Sequence, residues 1–365
     1  MYGRGANPCT KGERILTKIA LCGTMRLYAT KGDSRMIFQN IDIHGCEALE
    51  ELPSGAYGTI RVPLEVEQHL SERGKVQSRN ATGIECRFVL KGDAVTLRLA
   101  YDEGVSGTIT VYHGEFVADW PETTKEFSGI CEVTIPKAKN LKILKQLAEE
   151  YGHRFSPDVV RLVFSVRPQI VEVVGDIALP DEDMYPAKKY LAYGSSITHG
   201  SIALHPYYYY AERVAANLGA DVQNLGFAGS ACLEREMADY IADECEFDFA
   251  TLEMGINILE IEPEDYEERV RYFVPRIALA HPNATIFAID VYTCRSDIVG
   301  DRKAECFREI LARVVVEFNL PNVVYVNGKT VLTNPSKLTT GLVHPNPDGI
   351  MEMTENLTRI IKEHM

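Results

Sequence analysis

Basic residues are scarce in this chain of 365: 38 Lys and Arg stand against 52 Asp and Glu, a formal charge of −14. That deficit argues against a nucleic-acid partner or an anionic membrane partner, because both select a surplus of cations. Long apolar runs are also missing. No stretch approaches the ~20 residues needed to cross a bilayer. The best N-terminal run, 15–22, is interrupted by Lys18 and is too short and polar for a signal sequence. These absences set the expectation of a cytoplasmic protein, with residues 1–30 as an N-terminal extension. Cysteine pairs of the Cys-x-x-Cys kind are absent, and the cysteines (9, 22, 46, 86, 131, 232, 245, 294 and 306) are odd in number. They signal neither a disulfide framework nor a zinc knuckle and read as reduced, mostly buried thiols. Phosphate-binding glycine loops are missing too, and Gly226-Phe227-Ala228-Gly229 lacks the third glycine of a dinucleotide fingerprint. No cofactor is called for.

What is present divides into two rhythms. From 31 to 180 the pattern is strand-like, with period-two alternation at Ile84, Cys86, Phe88 and Leu90 and again at Val95, Leu97 and Leu99. The intervening Lys91-Gly92-Asp93 reads as a hairpin turn. Further short runs at 108–112, 130–135 and 161–166, with helices only at 64–73 and 141–151, predict an all-β sandwich of jelly-roll type. After the proline-flanked segment 179–186 the rhythm becomes strand, helix, strand, helix. Strands are expected at 189–193, 221–225, 249–254, 285–292 and 322–326. Helices are expected at 207–218, 234–244, 263–280, 302–318 and 349–363. Five such alternations predict an α/β domain over 186–365, a five-stranded parallel sheet in a three-layer α/β/α stack.

In such sheets chemistry collects at the carboxyl ends of the strands. There the sequence places Gly194-Ser195-Ser196, Asn224-Leu225-Gly226, Gly255-Ile256-Asn257 and, after the fifth strand, His344-Pro345-Asn346. Ser196 can serve as nucleophile on a tight strand-to-helix turn, with His344 as its base. The backbone N–H groups of Ser196 and Gly226, with the Asn257 amide, can donate to an oxyanion. Several neighbours have plainer readings. His281-Pro282-Asn283 precedes the fourth strand and reads as a helix-terminal histidine. His199 and His205 fit loop packing as well as substrate contact, and the tyrosines at 207–210 open an amphipathic helix. The acidic run 260–268 is a solvated helix start.

At these residues the second half resembles the SGNH hydrolases, or GDSL-type esterases, whose four named residues correspond in order to Ser196, Gly226, Asn257 and His344. Two departures stand out: Ser195 replaces the usual Asp of Gly-Asp-Ser, and Gly341 occupies the place, three before the histidine, where the family's aspartate fixes the imidazole. The resemblance therefore implies a Ser-His dyad or incomplete triad, with a backbone carbonyl of Thr340 or Gly341, or Asp348, as candidate orienters. A β-sandwich joined to such a domain resembles the two-domain carbohydrate acetyl esterases. The expectation is a serine esterase acting on acyl, foremost acetyl, esters of a saccharide or other small molecule, without metal. Lipid or thioester hydrolysis, and a degenerate saccharide-binding protein, stay open beside it.

Overall fold

The computed structural model describes residues 17–21, 24–28, 35–119 and 124–365. Residues 1–16, 22–23 and 29–30 of the expected extension lie outside the described residues.

The first half is antiparallel. Its strands are β1 (Thr17–Leu21), β2 (Thr24–Tyr28), β3 (Met36–Phe38), β4 (Ile41–His44), β5 (Ala48–Glu51) and β6 (Tyr57–Ile60). They continue with β7 (Glu85–Ala100), β8 (Ser106–His113), β9 (Phe116–Val117), β10 (Thr124–Ser128), β11 (Ile130–Pro136), β12 (Val159–Phe164) and β13 (Gln169–Ala178). Helices α1 (Leu64–His69), α2 (Glu72–Gln77) and α3 (Leu141–Glu150) interrupt them. The strands form one continuous antiparallel network around an apolar core that includes Phe88, Leu97, Val111 and Leu162.

Three expectations need correction here. Thr17–Leu21 and Thr24–Tyr28 are not a loose extension: β1 and β2 pair with each other, and β2 pairs with β5. Residues 64–73 are not one helix, because the chain leaves α1 at an extended Leu70 and restarts at Ser71, whose side chain caps α2. Lys91-Gly92-Asp93 is not a hairpin turn either. The strand β7 continues through it, pairing with β4 and β12 before it and with β11 after it. Strand β13 follows both halves of β7 and absorbs the bend through a register shift between Gly175 and Ile177, at a glycine with φ of 143°. A Gly-Asp in an alternating run marks a bend as readily as a reversal when a partner strand bends with it.

The second half alternates as expected. Its sheet, in the order β15-β14-β16-β17-β18, is parallel throughout and comprises β14 (Lys188–Gly194), β15 (Ala220–Gly226), β16 (Phe249–Glu253), β17 (Thr285–Ile289) and β18 (Val323–Val326). The helices are α4 (Ser196–His199), α5 (Tyr210–Leu218), α6 (Arg235–Asp243), α7 (Pro263–Ala280), α8 (Arg295–Val299), α9 (Lys303–Phe318), α10 (Gly328–Val331) and α11 (Pro347–His364). Alternate residues of each strand face opposite layers. Leu191 and Tyr193 pack with α6, α7 and α9, while Tyr190 and Ala192 pack with α5 and α11. The chain leaves β14 for β15 on one side and returns to β16 on the other, so the carboxyl end of β14 is the switch point of the sheet.

Strand β15 is an edge, and the first half covers it. Arg154 donates to the carbonyl of Ala220 (2.8 Å), His44 Nε2 to Val222 (2.7 Å), and Arg61 to Asn224 (2.6 Å) and Gly226 (3.0 Å). Each outward carbonyl of the strand thus meets a side chain where an open sheet edge would present bare acceptors. Arg87 adds a bidentate pair to Asp221 at 2.6 and 2.8 Å. The Asp221 carboxyl, although buried, is held well below the usual carboxylate range, chiefly by that guanidinium. Among the described residues Cys46, Cys86, Cys245 and Cys294 are buried free thiols, and no helix is long and apolar enough to cross a membrane.

Candidate active site

Ser196 sits at the first turn of α4, directly beyond β14. Ser195 caps that helix, its hydroxyl accepting from the N–H of Ile197 (3.1 Å). Beneath the turn lies Glu253, at the end of β16 and 2% exposed. It accepts from the Ser195 N–H (2.8 Å), the Ser195 hydroxyl (2.6 Å) and the Thr198 hydroxyl (2.7 Å). Burial raises the Glu253 carboxyl above its ordinary value, against those bonds. Gly194 is required by this crowding, since a Cβ there would lie 2.3 Å from Thr198 Oγ1 and 2.4 Å from Glu253 Oε2. The departure at Ser195 now has a cause: an aspartate there would put a second carboxylate against Glu253, where the serine hydroxyl donates.

The structure brings Ser196 and His344 together, with Oγ 2.8 Å from Nε2. For the hydroxyl to donate, Nε2 must be bare and the ring proton must sit on Nδ1. The loop carrying His344 is closed on itself, its carbonyl accepting from Thr339 N–H (2.8 Å), with Leu342 at a φ of 56°. Burial lowers the His344 pKa below 6.5. None of the candidate orienters reaches Nδ1: among the described residues the structure gives that atom no hydrogen-bond partner. Asp348 stands in the first turn of α11, and the cap of that helix is Asn346, which accepts from the N–H of Gly349 (2.9 Å). A Cβ at Gly341 would meet no atom within 4 Å.

Asn257 follows a Gly255 at φ 113° and accepts at Oδ1 from the Ala231 N–H (3.1 Å). That bond fixes which end of the amide is the oxygen and leaves Nδ2 as a donor. Gly226 is not the donor expected of it, because its N–H is taken by Asn224 Oδ1 at 2.9 Å. It is glycine for another reason: a Cβ would lie 2.2 Å from the backbone nitrogen of His199, where α4 passes over the strand end. Three residues on, Gly229 has a φ of 69°, and its N–H, like those of Ala228 and Ser196, donates to no acceptor among the described residues.

The neighbouring histidines hold structure. His199 Nδ1 meets the Gly226 carbonyl (3.0 Å) and its Nε2 meets Thr82 Oγ1 (3.1 Å), while burial, with Arg61 nearby, pushes its pKa down to about 4. His205 Nε2 meets Thr110 Oγ1 (2.7 Å). His281 closes α7 and lies 3.0 Å from the Ile241 carbonyl through Nε2. Tyr210 is buried with its hydroxyl 2.7 Å from that of Thr198, and Tyr207 stacks on Tyr112. Sequence reasoning missed Glu253, Gly229 and Arg61. Only Glu253 carried a signal, as a lone carboxylate in the apolar run 249–254.

Residues 187–362 match the family described as GDSL-like lipase/acylhydrolase. No curated protein matches the chain. Among solved structures, the salicylyl-acyltransferase SsfX3 from a tetracycline biosynthetic pathway is 19% identical with a TM-score of 0.71, over 90% of this chain and 96% of that one. A family two carbohydrate esterase from Cellvibrio japonicus is 14% identical with a TM-score of 0.59, over 89% and 95%. The acetyl xylan esterase Est2A from Butyrivibrio proteoclasticus is 12% identical with a TM-score of 0.52, over 90% and 96%. At these identities the likeness is one of fold, and it extends through both halves. The second half of this chain, carrying a serine and a histidine in contact at the switch point of its sheet, belongs to the GDSL-like lipase/acylhydrolase family of serine ester hydrolases.

Proposed function

We propose that the protein hydrolyses acyl esters of saccharides, acetyl esters foremost, by a Ser-His dyad. The observation that carries the reading is the 2.8 Å contact between Ser196 Oγ and His344 Nε2, on a turn braced by Glu253. Ser196 Oγ attacks the ester carbonyl carbon while Nε2 takes the hydroxyl proton. The negative charge that develops on the carbonyl oxygen meets the N–H of Ser196, the Nδ2 of Asn257 and the N–H of Gly229, which replaces Gly226 in this role. His344 then returns its proton to the departing sugar oxygen, leaving an acyl-enzyme. Water attacks the acyl carbon, giving its proton to Nε2, and Ser196 leaves with that proton. The acidic surface favours an uncharged substrate such as a neutral sugar. The fold shared with a carbohydrate esterase and an acetyl xylan esterase supports the substrate class.

Labelling with a fluorophosphonate probe, mapped by mass spectrometry and paired with turnover of para-nitrophenyl acetate and of acetylated xylan, tests this reading. The expected adduct is on Ser196, and Ser196→Ala abolishes both signals. Turnover retained in that variant refutes the assignment of the nucleophile, and xylan left untouched while the nitrophenyl ester is cleaved refutes this saccharide as substrate.

A further inference from the structure

The row of side chains along β15 does not stop where the strand ends. Arg73, in α2 of the first half, donates from Nε to the carbonyl of Ala228 at 3.0 Å, inside the loop between β15 and α6. Its guanidinium covers Gly229 so closely that a Cβ there would lie 2.3 Å from Arg73 Cζ. In a planar trans peptide the C=O and the following N–H point in opposite directions. The bond to the Ala228 carbonyl therefore fixes the direction of the Gly229 N–H. Arg73 belongs to the half of the chain whose side chains cover the outer edge of β15, and β14, which delivers Ser196, lies on the other side of that strand. The loop itself crosses that way: the Phe227 N–H donates to the Gly194 carbonyl (2.8 Å) and the Ala231 N–H donates to Asn257. The Gly229 N–H is therefore turned away from Arg73.

We propose that Arg73, contributed by the β half of the chain, is a positioning residue that orients the Gly229 amide toward the oxyanion formed at Ser196. The inference rests on the esterase reading above. A glycine amide needs such a clamp, because without a Cβ both signs of φ are open to it and the peptide can turn over with little penalty. Arg61 fixes the preceding part of the same loop. Its guanidinium is fully buried, has no carboxylate partner among the described residues, and donates to Gln77, Asn224 and Gly226 carbonyls while lying 4.9 Å over the Phe227 ring. The two arginines hold the carbonyls of residues 224, 226 and 228, so the loop is set by the first half while its free amides are left for the second.

The test uses Arg73→Ala and Arg73→Lys in the full chain, with para-nitrophenyl acetate kinetics, the pH profile of kcat/KM, and inhibition by phenylboronic acid as a tetrahedral mimic. Removing an oxyanion donor outright costs about 10²–10³ in kcat, so loss of its clamp should lower kcat by about 10- to 100-fold. KM should stay within about twofold, the midpoint of the pH profile should not move, and boronate affinity should fall in step with kcat. Arg73→Lys, which keeps a cationic donor, should recover part of the loss. Normal Ser196 labelling in the wild type with kcat and boronate affinity unchanged in Arg73→Ala overturns this inference alone. No Ser196 labelling in the wild type overturns the esterase reading and this inference with it.

Discussion

Replacing Gly341 by aspartate should give His344 the acidic partner that this chain lacks. The position tolerates a side chain: its φ is outside the left-handed range, and a Cβ meets nothing within 4 Å. His344 is half-buried, so a carboxylate about 4 Å from the ring interacts through an effective dielectric constant of about 40, worth about 2 kcal/mol. Since each pKa unit corresponds to 1.36 kcal/mol, the imidazolium becomes easier to form by about 1.5 pH units. In the wild type, burial lowers the His344 pKa, so the base form survives to lower pH and the acid limb of kcat/KM should have its midpoint below 6.5. In Gly341→Asp that midpoint should move up by about 1.5 pH units. The gain in kcat should be modest, below about 10-fold, because Nε2 already stands 2.8 Å from the serine hydroxyl without that carboxylate. The assay is the pH dependence of para-nitrophenyl acetate hydrolysis for both proteins. An unmoved midpoint would show that residue 341 does not face Nδ1 and would refute the correspondence with the family's aspartate.

Two further substitutions probe the same turn and the same oxyanion. Glu253→Gln keeps the shape but sets an NH2 against at least one of the three donors now satisfied; stability should fall by about 2–3 kcal/mol, read from urea unfolding, and labelling of Ser196 should slow. Unchanged unfolding would mean that the bonds to Ser195 and Thr198 are not what braces the turn. Asn257→Ala should lower kcat about 10²–10³-fold with little change in KM, and a loss within twofold would remove its amide from the oxyanion site.

The parallel sheet was legible because its alternation is strong and its strands are buried on both faces, where run length and apolarity suffice. Short elements escaped: α4, α8 and α10 are 4, 5 and 4 residues long and have no period to read. Residue types at strand ends located Ser196, Asn257 and His344. They could not distinguish Gly226 from Gly229, because the distinction lies in which N–H the Asn224 side chain takes. Arg61 and Arg73 gave no sequence signal. Their partners in the β15 strand and the loop after it are backbone carbonyls about 155–165 residues away, and a carbonyl looks the same whatever residue bears it.

The covered edge of β15 bears on what counts as one unit of this chain. The stretch that matches the family begins at residue 187 and contains both members of the dyad, yet the partners of the β15 edge carbonyls all lie before it. Cut free, that stretch would expose a ladder of acceptors ready to recruit a strand from another molecule, and self-association is its expected fate.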